Sequence, residues 1–334
     1  MPNDTESSRS VLITGANGFV GSRLCRKFAQ EGFRVLAGVR RTSDLSLLDE
    51  LEVEFRYGDV TRPETLPDMV TGAEFIIHNA GVVKARHPKT FFTVNHTGTR
   101  SLFEAIAEHN RSVKKVIYIS SLAAAGPSQH GQPLTEDDPP RPITAYGRSK
   151  LAGENIALSF ANRINVLAVR PPGIYGPGDK EILSFFEVIN RRIKPYIGNS
   201  ERKLQLVHVD DLCHAVFLAV TNKTRPGETY FVAENRSYSL REMMTLLEQA
   251  CGKKAYALHI PALLFRTIAG VSEFLFKVVG ATPMLTREKA AELLASWEIS
   301  TAKAQRDFGY KSQIPFEKGA AQTYKWYRRE GWLK

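Results

Sequence analysis

The chain has 334 residues, of which 43% are hydrophobic, and it carries a formal net charge of +10. This length and composition are typical of a globular protein with one large domain or two smaller ones. Its three cysteines are far apart, which excludes a disulfide framework and indicates no metal site. The basic balance suits anionic ligands, and the absence of any run of five basic residues argues against nucleic acid as a partner. The polar N-terminus has no apolar signal-peptide core, so we expect a cytoplasmic protein.

The first predicted unit is a strand, a glycine-rich turn and a helix. Val11, Leu12 and Ile13 form a short apolar run that is typical of a buried parallel strand. Glycines follow at a spacing of three, and apolar residues recur behind them at helical spacing. Such glycines permit a tight turn, the approach of a pyrophosphate and close helix packing, while the helix N-terminus offers free N–H groups. The unit therefore predicts dinucleotide binding by Gly15, Asn17, Gly18, Phe19, Val20 and Gly21.

The second predicted strand, residues 34–40, bears on the choice of dinucleotide. NAD-binding folds place an acidic residue about 20 positions past the first glycine, where it holds the ribose 2′-hydroxyl. This chain has Arg40 and Arg41 there, and no acid before Asp44. Two arginines suit a 2′-phosphate, so we expect NADP rather than NAD. The alternative is that both arginines are merely exposed to solvent.

Strands and helices alternate as far as residue 170. Strands are predicted at 53–57, 75–78, 116–119 and 166–170, with helices near Pro63, over 91–109 and over 145–160. This alternation predicts βαβ units and a doubly wound parallel sheet. Asp59 either accepts a hydrogen bond from an adenine amino group or caps the helix near Pro63. The further expected cofactor contacts are Asp59, Val60, Asn79, Ala80, Gly81, Asn95, Pro171, Gly173 and Ile174.

The second half of the chain is less regular. Residues 206–212 are predicted as a short strand that runs into a helix capped by Asp210 or Asp211, followed by a strand at 229–233 and a helix at 240–251. We expect a flexible tail over residues 1–8, a cofactor domain over 9–178 and a smaller, mixed, mainly substrate-binding region over 179–334. Within the last region, residues 205–233 are expected to return to the main sheet.

Residues 259–281 form the most apolar stretch. Arg266, Glu273 and Lys277 interrupt it, which argues against a membrane span. We predict an amphipathic helix packed on the core. The alternatives are that it lines an apolar substrate pocket or contacts a membrane surface.

Tyr146 and Lys150 are the main catalytic candidates. They are four residues apart at the start of a predicted helix and therefore share a face. A free tyrosine has a pKa near 10, and a nearby ammonium favours the phenolate. Ser121, or its rival Ser120, ends the fifth strand at the same sheet edge as the glycine turn. We expect hydride transfer at a carbinol or carbonyl carbon, with Tyr146 as acid/base, Lys150 lowering its pKa and Ser121 orienting the substrate oxygen.

Taken in order, these motifs resemble those of the extended short-chain dehydrogenase/reductases, also called the NAD-dependent epimerase/dehydratase family. The resemblance covers nearly the whole chain and rests on residues 14–21, 58–60, 78–81, 95–99, 118–121, 146–150, 170–179 and 207–212. It implies a Rossmann-type fold, and it implies that Ser121 is the catalytic serine. It also implies a homodimer formed through the helices around Phe91 and Tyr146.

Departures from the family patterns narrow the implied reaction. The sugar dehydratases of the family usually carry Asp-Glu after the catalytic residue, where this chain has Leu122 and Ala123. Many nucleotide-sugar enzymes carry an arginine where this chain has Leu204, although Arg202 and Lys203 are near. Residues 205–212 and the apolar stretch look more like the dihydroflavonol-reductase and 3β-hydroxysteroid-dehydrogenase branch.

We therefore expect an NADP-dependent oxidoreductase that acts on a secondary alcohol or ketone of a mostly apolar small molecule. The alternative is a UDP-glucose-type 4-epimerase that keeps NAD tightly bound, and a third class is a non-catalytic redox sensor on the same fold. Lys84, Ala123 and Tyr175 are the expected substrate contacts.

Overall fold

A seven-stranded sheet forms the centre of the computed structural model, which describes residues 9–129, 131–279 and 285–333. The tail expected over residues 1–8 lies outside the described residues. The strands are β1 (Ser10–Thr14), β2 (Arg34–Val39), β3 (Glu54–Tyr57), β4 (Phe75–His78), β5 (Lys115–Ile119), β6 (Val166–Arg170), β7 (Gly173–Tyr175), β8 (Ile193–Ile197), β9 (Lys203–Leu204), β10 (Leu206–His208), β11 (Thr229–Phe231), β12 (Tyr238–Ser239) and β13 (Tyr256–Ile260). In the sheet the order is β3-β2-β1-β4-β5-β6-β11, and every pair is parallel.

Helices cover both faces of this sheet and build the region beyond it. They are α1 (Phe19–Gln30), α2 (Leu66–Val70), α3 (Pro88–Phe92), α4 (Thr99–His109), α5 (Leu122–Ala125), α6 (Ala145–Ser159), α7 (Leu183–Asn190), α8 (Val209–Thr221), α9 (Leu240–Cys251), α10 (Ala262–Val279), α11 (Arg287–Leu294), α12 (Ala302–Phe308) and α13 (Phe316–Arg329). A short 3₁₀ turn over Pro63–Thr65 precedes α2.

The alternation of side chains along β1 shows how the two faces are filled. Val11 and Ile13 pack on the face covered by α1 and α8, whereas Leu12 packs on the face covered by α2, α4 and α6. All five residues of β1 are buried because both faces carry helices. The predicted doubly wound parallel sheet is therefore confirmed.

The strand order reverses between β1 and β4, which are neighbours in the sheet. The chain runs outward from β1 through β2 to β3 on one side, and from β4 through β5 to β6 on the other. Doubly wound sheets bind ligands in the crevice at the carboxyl ends of the strands at this reversal. The glycine turn follows β1 directly, so it lies in that crevice.

Two predicted helices differ in detail from the structure. The helix predicted over 91–109 consists of α3, a π-helical turn over Thr93–Gly98 and α4. The helix after β10 is capped by His208 and not by Asp210 or Asp211, because it begins at Val209 and places both acids in its first turn. There they face the positive end of the helix dipole.

The segment 205–233 divides between two places. Strand β11 pairs with β6 in the main sheet and α8 packs against the sheet, whereas β10 pairs with β7 outside it. A second core then forms around α7, α9 and α13.

The apolar stretch from residue 259 contains the predicted amphipathic helix, α10, whose buried face packs on a small core cluster separate from the main sheet; residues 280 and 281 of the stretch lie outside the described residues. On α10, Phe265 and Ala269 are buried, whereas Leu263 and Leu264 are 77% and 52% exposed. These leucines are exposed because, among the described residues, α10 packs against α11 and the ends of β8 and β13 in one small cluster. That cluster covers one narrow face of α10. Within the described ranges no helix is long and apolar enough to cross a membrane.

Candidate active site

The glycine turn after β1 is shaped by two close approaches. Gly15 has φ +65°, and a Cβ there would lie 3.0 Å from the Cα of Ala80. A Cβ on Gly21 would lie 2.1 Å from the carbonyl oxygen of Gly15, so α1 reaches the turn only because position 21 is glycine. At Gly18 a Cβ would meet only the Gly15 carbonyl, at 3.4 Å. The fold therefore does not require glycine at 18, and its small size leaves room for a ligand.

The N-terminus of α1 offers backbone donors to such a ligand. Gly18 is the N-cap and has no capping side chain, and the first helical bond runs from the Ser22 N–H to the Gly18 carbonyl at 2.9 Å. Within the described chain, the N–H groups of Phe19, Val20 and Gly21 therefore have no backbone acceptor. Free N–H groups and the positive helix end form an anion site, and a dinucleotide pyrophosphate fits it. Asn17 is half-buried beside this turn.

The end of β2 presents two exposed guanidinium groups. The Arg41 guanidinium carbon lies 5.0 Å from the centre of the Tyr57 ring. The backbone N–H of Arg40 donates to the Ser43 hydroxyl. Neither side chain forms an ion pair with a described residue. The first acid, Asp44, is engaged by the Ser46 N–H at 3.0 Å. The space beside β2 is therefore positively charged.

Asp59 does not cap the following helix. Its carboxylate accepts from the Thr61 N–H at 2.8 Å and from the Thr61 hydroxyl at 2.7 Å, and the 3₁₀ turn is capped by Arg62. Burial raises the pKa of Asp59. The bonds from Thr61 and the nearby arginines together lower this pKa by more than burial raises it, so the net shift is downward. Val60 next to it is buried against Gly98. Contact of Asp59 with adenine stays a prediction.

A buried histidine holds the loop after β4. Thr14 Oγ1 accepts from the N–H groups of Asn79 and Ala80 at 3.1 and 3.0 Å, so its own O–H is left to donate to His78 Nδ1 at 2.9 Å. His78 Nε2 lies 3.0 Å from the Thr99 hydroxyl. Burial lowers the pKa of His78 to about 3, so the ring is neutral with its proton on Nε2. No sequence pattern indicates this network, apart from the position of His78 at a strand end.

The π-helical turn presents Asn95 between that loop and α6. Its side chain accepts from the Val82 N–H at 2.9 Å and donates to the Val82 carbonyl and to the Ser149 hydroxyl, both at 3.0 Å. A Cβ on Gly81 would lie 3.1 Å from Asn95 Oδ1, which explains the glycine there. Asn95 therefore braces the loop after β4 against the helix that carries Tyr146. π-Helical turns of this kind are frequent at functional sites.

Ser121 and Tyr146 meet at the carboxyl end of β5. The Ser121 hydroxyl lies within hydrogen-bonding reach of the Tyr146 phenol, and it also accepts from the Ala123 N–H at 3.1 Å. Ser120, the rival, is 4% exposed and its hydroxyl has no partner among the described residues. The structure therefore brings Ser121, and not Ser120, to the tyrosine.

Lys150 lies one helical turn beyond Tyr146 and is buried. Its Nζ donates to the Ile119 carbonyl at 2.7 Å and lies 4.4 Å from the centre of the Tyr118 ring. Burial lowers the pKa of Lys150 to about 7, against the opposing effect of Glu154. Glu154 itself is held by Arg170 in a buried ion pair with contacts of 2.9 and 2.5 Å.

The expected lowering of the Tyr146 pKa is not seen. Burial raises this pKa above its usual value, the hydrogen bond with Ser121 opposes the shift, and Glu292 adds to it. Desolvation outweighs the effect that we assigned to Lys150, whose ammonium is directed to a backbone carbonyl. The phenol is therefore protonated at neutral pH, as a proton donor must be.

The α11 helix adjoins the helix that carries Tyr146, which the sequence did not indicate. Glu288 accepts from the Ala145 N–H at 2.7 Å and from the Arg148 guanidinium at 2.6 Å. These bonds join α11 to the first turn of α6, where Ala145 directly precedes Tyr146. Such a contact spans more than 140 positions of chain, so no local pattern signals it.

The remaining predicted contacts fall into two groups. Pro171 is buried and its carbonyl accepts from the Leu122 N–H at 2.7 Å, while Gly173 and Ile174 open β7 beside it. Of the expected substrate contacts, Ala123 is half-buried next to Ser121, and Lys84 is exposed in an ion pair with Glu181. Tyr175 is 1% exposed and packs against His208 and Phe316. The structure therefore places Tyr175 in the second core and not on an open surface.

Arg202 is not free to bind a diphosphate. It is 7% exposed, and its guanidinium donates to the carbonyls of Ile197 and Asn199 at 2.6 and 3.0 Å. Leu204 occupies the position where the family resemblance leads one to expect an arginine in many nucleotide-sugar enzymes. The arrangement as a whole places the Tyr146 phenol and the Ser121 hydroxyl at the same edge of the sheet as the glycine turn.

Comparison with known proteins agrees with this geometry. The model of the NAD dependent epimerase/dehydratase family matches residues 11–233. A ceramide reductase of Caulobacter vibrioides is 32% identical, over 98% of this chain and 98% of its own length. A 3-beta-hydroxysteroid dehydrogenase of Mycolicibacterium neoaurum is 27% identical, over 95% of this chain and 91% of its own. The crystal structure of gox2253 is 30% identical and covers 98% of this chain and 100% of its own, with a TM-score of 0.84.

Proposed function

The chain belongs to the NAD-dependent epimerase/dehydratase family, and within that family we propose that it is an NADP(H)-dependent reductase that converts a ketone of a largely apolar molecule to a secondary alcohol. It is an enzyme, and its relatives include reductases and dehydrogenases. The observation that carries the proposal is the grouping of Ser121, Tyr146 and Lys150 at the carboxyl end of β5, where Lys150 Nζ donates to the Ile119 carbonyl and the Ser121 hydroxyl accepts from the Ala123 N–H.

The reaction follows from what these side chains do. A bound nicotinamide dinucleotide supplies the hydride when it is reduced and accepts one when it is oxidised. Ser121 donates a hydrogen bond to the ketone oxygen, and Tyr146 donates the proton that makes this oxygen a hydroxyl. Burial keeps the phenol protonated, which favours the reducing direction. Lys150, buried one turn away, would hold the nicotinamide ribose when the cofactor is bound and would stabilise the phenolate that remains.

Support for NADP(H) comes from the end of β2. A 2′-phosphate placed there would meet Arg40 and Arg41, which are exposed and have no described ion-pair partner. Arginine binds phosphate through paired charge-assisted hydrogen bonds. An acid that would hold a 2′-hydroxyl is missing at this position.

Support for an apolar substrate comes from what the site lacks and from the relatives. Leu204 has no charge, and Arg202 is bound internally, so neither position offers a free arginine to the diphosphate of a nucleotide-sugar. Two relatives that match nearly the whole chain are named for ceramide and for a 3-hydroxysteroid. We therefore propose Ala123 and Lys84, at the mouth of the site, as contacts for a lipid-like ketone.

The first test is a titration of the purified protein with NADPH and NADH, followed by ketone reduction monitored at the nicotinamide absorbance. A long-chain 3-keto lipid and a 3-ketosteroid serve as ketone substrates, and UDP-galactose, whose epimerisation causes no net change in this absorbance, is followed by chromatography of the product. We expect tighter binding of NADPH and turnover of a lipid ketone. Tyr146→Phe should lower kcat at least ~100-fold with unchanged NADPH affinity. Near-normal turnover by this variant would refute the assigned proton donor.

The matched cofactor variant is Arg40→Ala with Arg41→Ala. It should weaken NADPH binding at least about tenfold and leave NADH binding nearly unchanged. Equal losses for both nucleotides would remove the case for NADP(H). Stoichiometric NAD that survives purification, together with turnover of UDP-galactose, would instead establish the 4-epimerase.

Two further proposals concern the state of the enzyme. We propose a cytoplasmic homodimer that pairs through α3, α4 and α6, where Phe92 is 36% exposed and Leu151 and Ile156 are half-buried. Light scattering should give twice the chain mass, and Ile156→Glu should halve it. A monomeric wild type would refute the dimer.

A further inference from the structure

Large apolar side chains are concentrated on one exposed surface, which we call the α10 surface. It consists of β13, the outward face of α10 and the neighbouring start of β8. Of the 13 large hydrophobic residues exposed in the described chain, seven lie here: Ile193, Tyr256, Leu258, Leu263, Leu264, Ile268 and Val271. Tyr256 and Leu263 are 76% and 77% exposed, the highest values among the 13. Exposed apolar side chains concentrated in this way mark an interaction site.

The exposed residues of α10 lie together because of helix geometry. Leu263, Leu264, Ile268 and Val271 follow a spacing of one, four and three residues, which places them on a single stripe of α10. The opposite face of the same helix, with Phe265 and Ala269, is buried. The stripe therefore points away from the protein.

Basic side chains border the α10 surface. Residues 249–272 contain Lys253, Lys254 and Arg266, and the acid that follows them, Glu273, accepts from the Arg287 N–H at 2.9 Å. An open groove of about 680 Å³ between α10 and α11 is lined by Arg266 and Arg287, and neither guanidinium has an ion-pair partner in the described chain. Apolar side chains with a basic border match an anionic lipid surface, where the former enter the acyl boundary and the latter meet phosphates.

We propose that the α10 surface docks the enzyme on an anionic phospholipid bilayer. No described helix can span a membrane, so the contact is interfacial. The surface adjoins the reaction site, because α10 packs on α11 and Glu288 of α11 binds the first turn of α6. This inference stands on exposure and charge alone and does not depend on the proposed reaction.

The test is vesicle co-sedimentation of the purified full-length protein. Vesicles of phosphatidylcholine alone are compared with vesicles that contain about one third phosphatidylglycerol. We expect binding to the anionic vesicles that weakens as salt is raised. Leu263→Ser with Leu264→Ser should weaken this binding at least about tenfold, because two exposed leucines leave the acyl boundary.

A matched control separates the surface from hydrophobicity in general. Leu264 and Leu47 are 52% and 51% exposed, but Leu47 lies outside the α10 surface. Leu264→Ser should weaken vesicle binding and Leu47→Ser should not, and circular dichroism should show both variants folded. Equal effects of the two variants would overturn the proposal, as would failure of the wild type to bind either vesicle. A wild-type dimer that Leu264→Ser dissociates, without vesicle binding, would make this surface a contact between two copies and would also overturn it.

Discussion

The buried His78 should make the stability of this enzyme depend on pH in a defined way. Its pKa falls from 6.5 in an unfolded chain to about 3 in the folded one. Below pH 6.5 the unfolded chain therefore binds a proton that the folded chain refuses, so stability is lost as the pH falls from 6.5 toward 3. Between pH 7.5 and pH 5 the loss amounts to about 2 kcal/mol. Because the pKa of folded His78 lies well below pH 5, the folded ring stays neutral over this whole interval, and the loss is set by the unfolded chain alone.

The perturbation is His78→Asn, measured by urea unfolding at pH 7.5 and pH 5. Asparagine still accepts from Thr14 but loses the bond to Thr99, so the variant should be less stable at both pH values. Its free energy of unfolding should fall by about 2 kcal/mol less than that of the wild type over this interval. Burial also lowers the pKa values of His208 and His214, but both are present in each protein and cancel in the difference.

The control is His87→Asn, which replaces an exposed histidine and should follow the wild-type pH dependence. Parallel curves for the wild type and His78→Asn would refute the reasoning, because His78 would then titrate alike in both states. Since His78 holds Thr14, and Thr14 holds the amides of Asn79 and Ala80, the affinity for the dinucleotide should fall in the same variant.

Five further substitutions test other parts of the site. Gly21→Ala should lower the free energy of unfolding by about 3 kcal/mol or more, because the new Cβ would lie 2.1 Å from the Gly15 carbonyl oxygen. Gly18→Ala, whose Cβ would lie 3.4 Å from that oxygen, should lower it by less than about 1 kcal/mol and yet weaken nucleotide binding. Similar losses of stability for the two variants would contradict these distances. Glu154→Gln should cost about 3 kcal/mol in urea unfolding, because a buried guanidinium loses its partner, and a loss below about 1 kcal/mol would mean that the pair is solvated. Ser121→Ala should lower kcat at least about tenfold and Ser120→Ala less than about threefold, and the reverse order would exchange their roles.

The sequence by itself determined the main sheet. Apolar runs such as residues 11–13 and 75–78 are short and are separated by helical periods, and the right-handed crossover rule leaves few ways to pair such strands. The glycine turn could also be predicted from the sequence, because its geometry is local. Gly15 and Gly21 closely approach atoms that are a few residues away in the chain or in the adjacent loop. Tyr146 and Lys150 share one helix, so their common face also followed from spacing alone.

Only the tertiary structure decided the electrostatics and the surroundings of these residues. Whether Lys150 lowers the pKa of Tyr146 depends on burial and on the Ile119 carbonyl, 31 residues away in the chain, and burial prevails. The choice between Ser120 and Ser121 depends on which hydroxyl faces α6, and the exposure of α10 depends on how little of its surface α11 covers. Contacts between distant segments and the desolvation that they impose leave no periodic signal in a sequence, because periodicity reports only which face of an element is apolar.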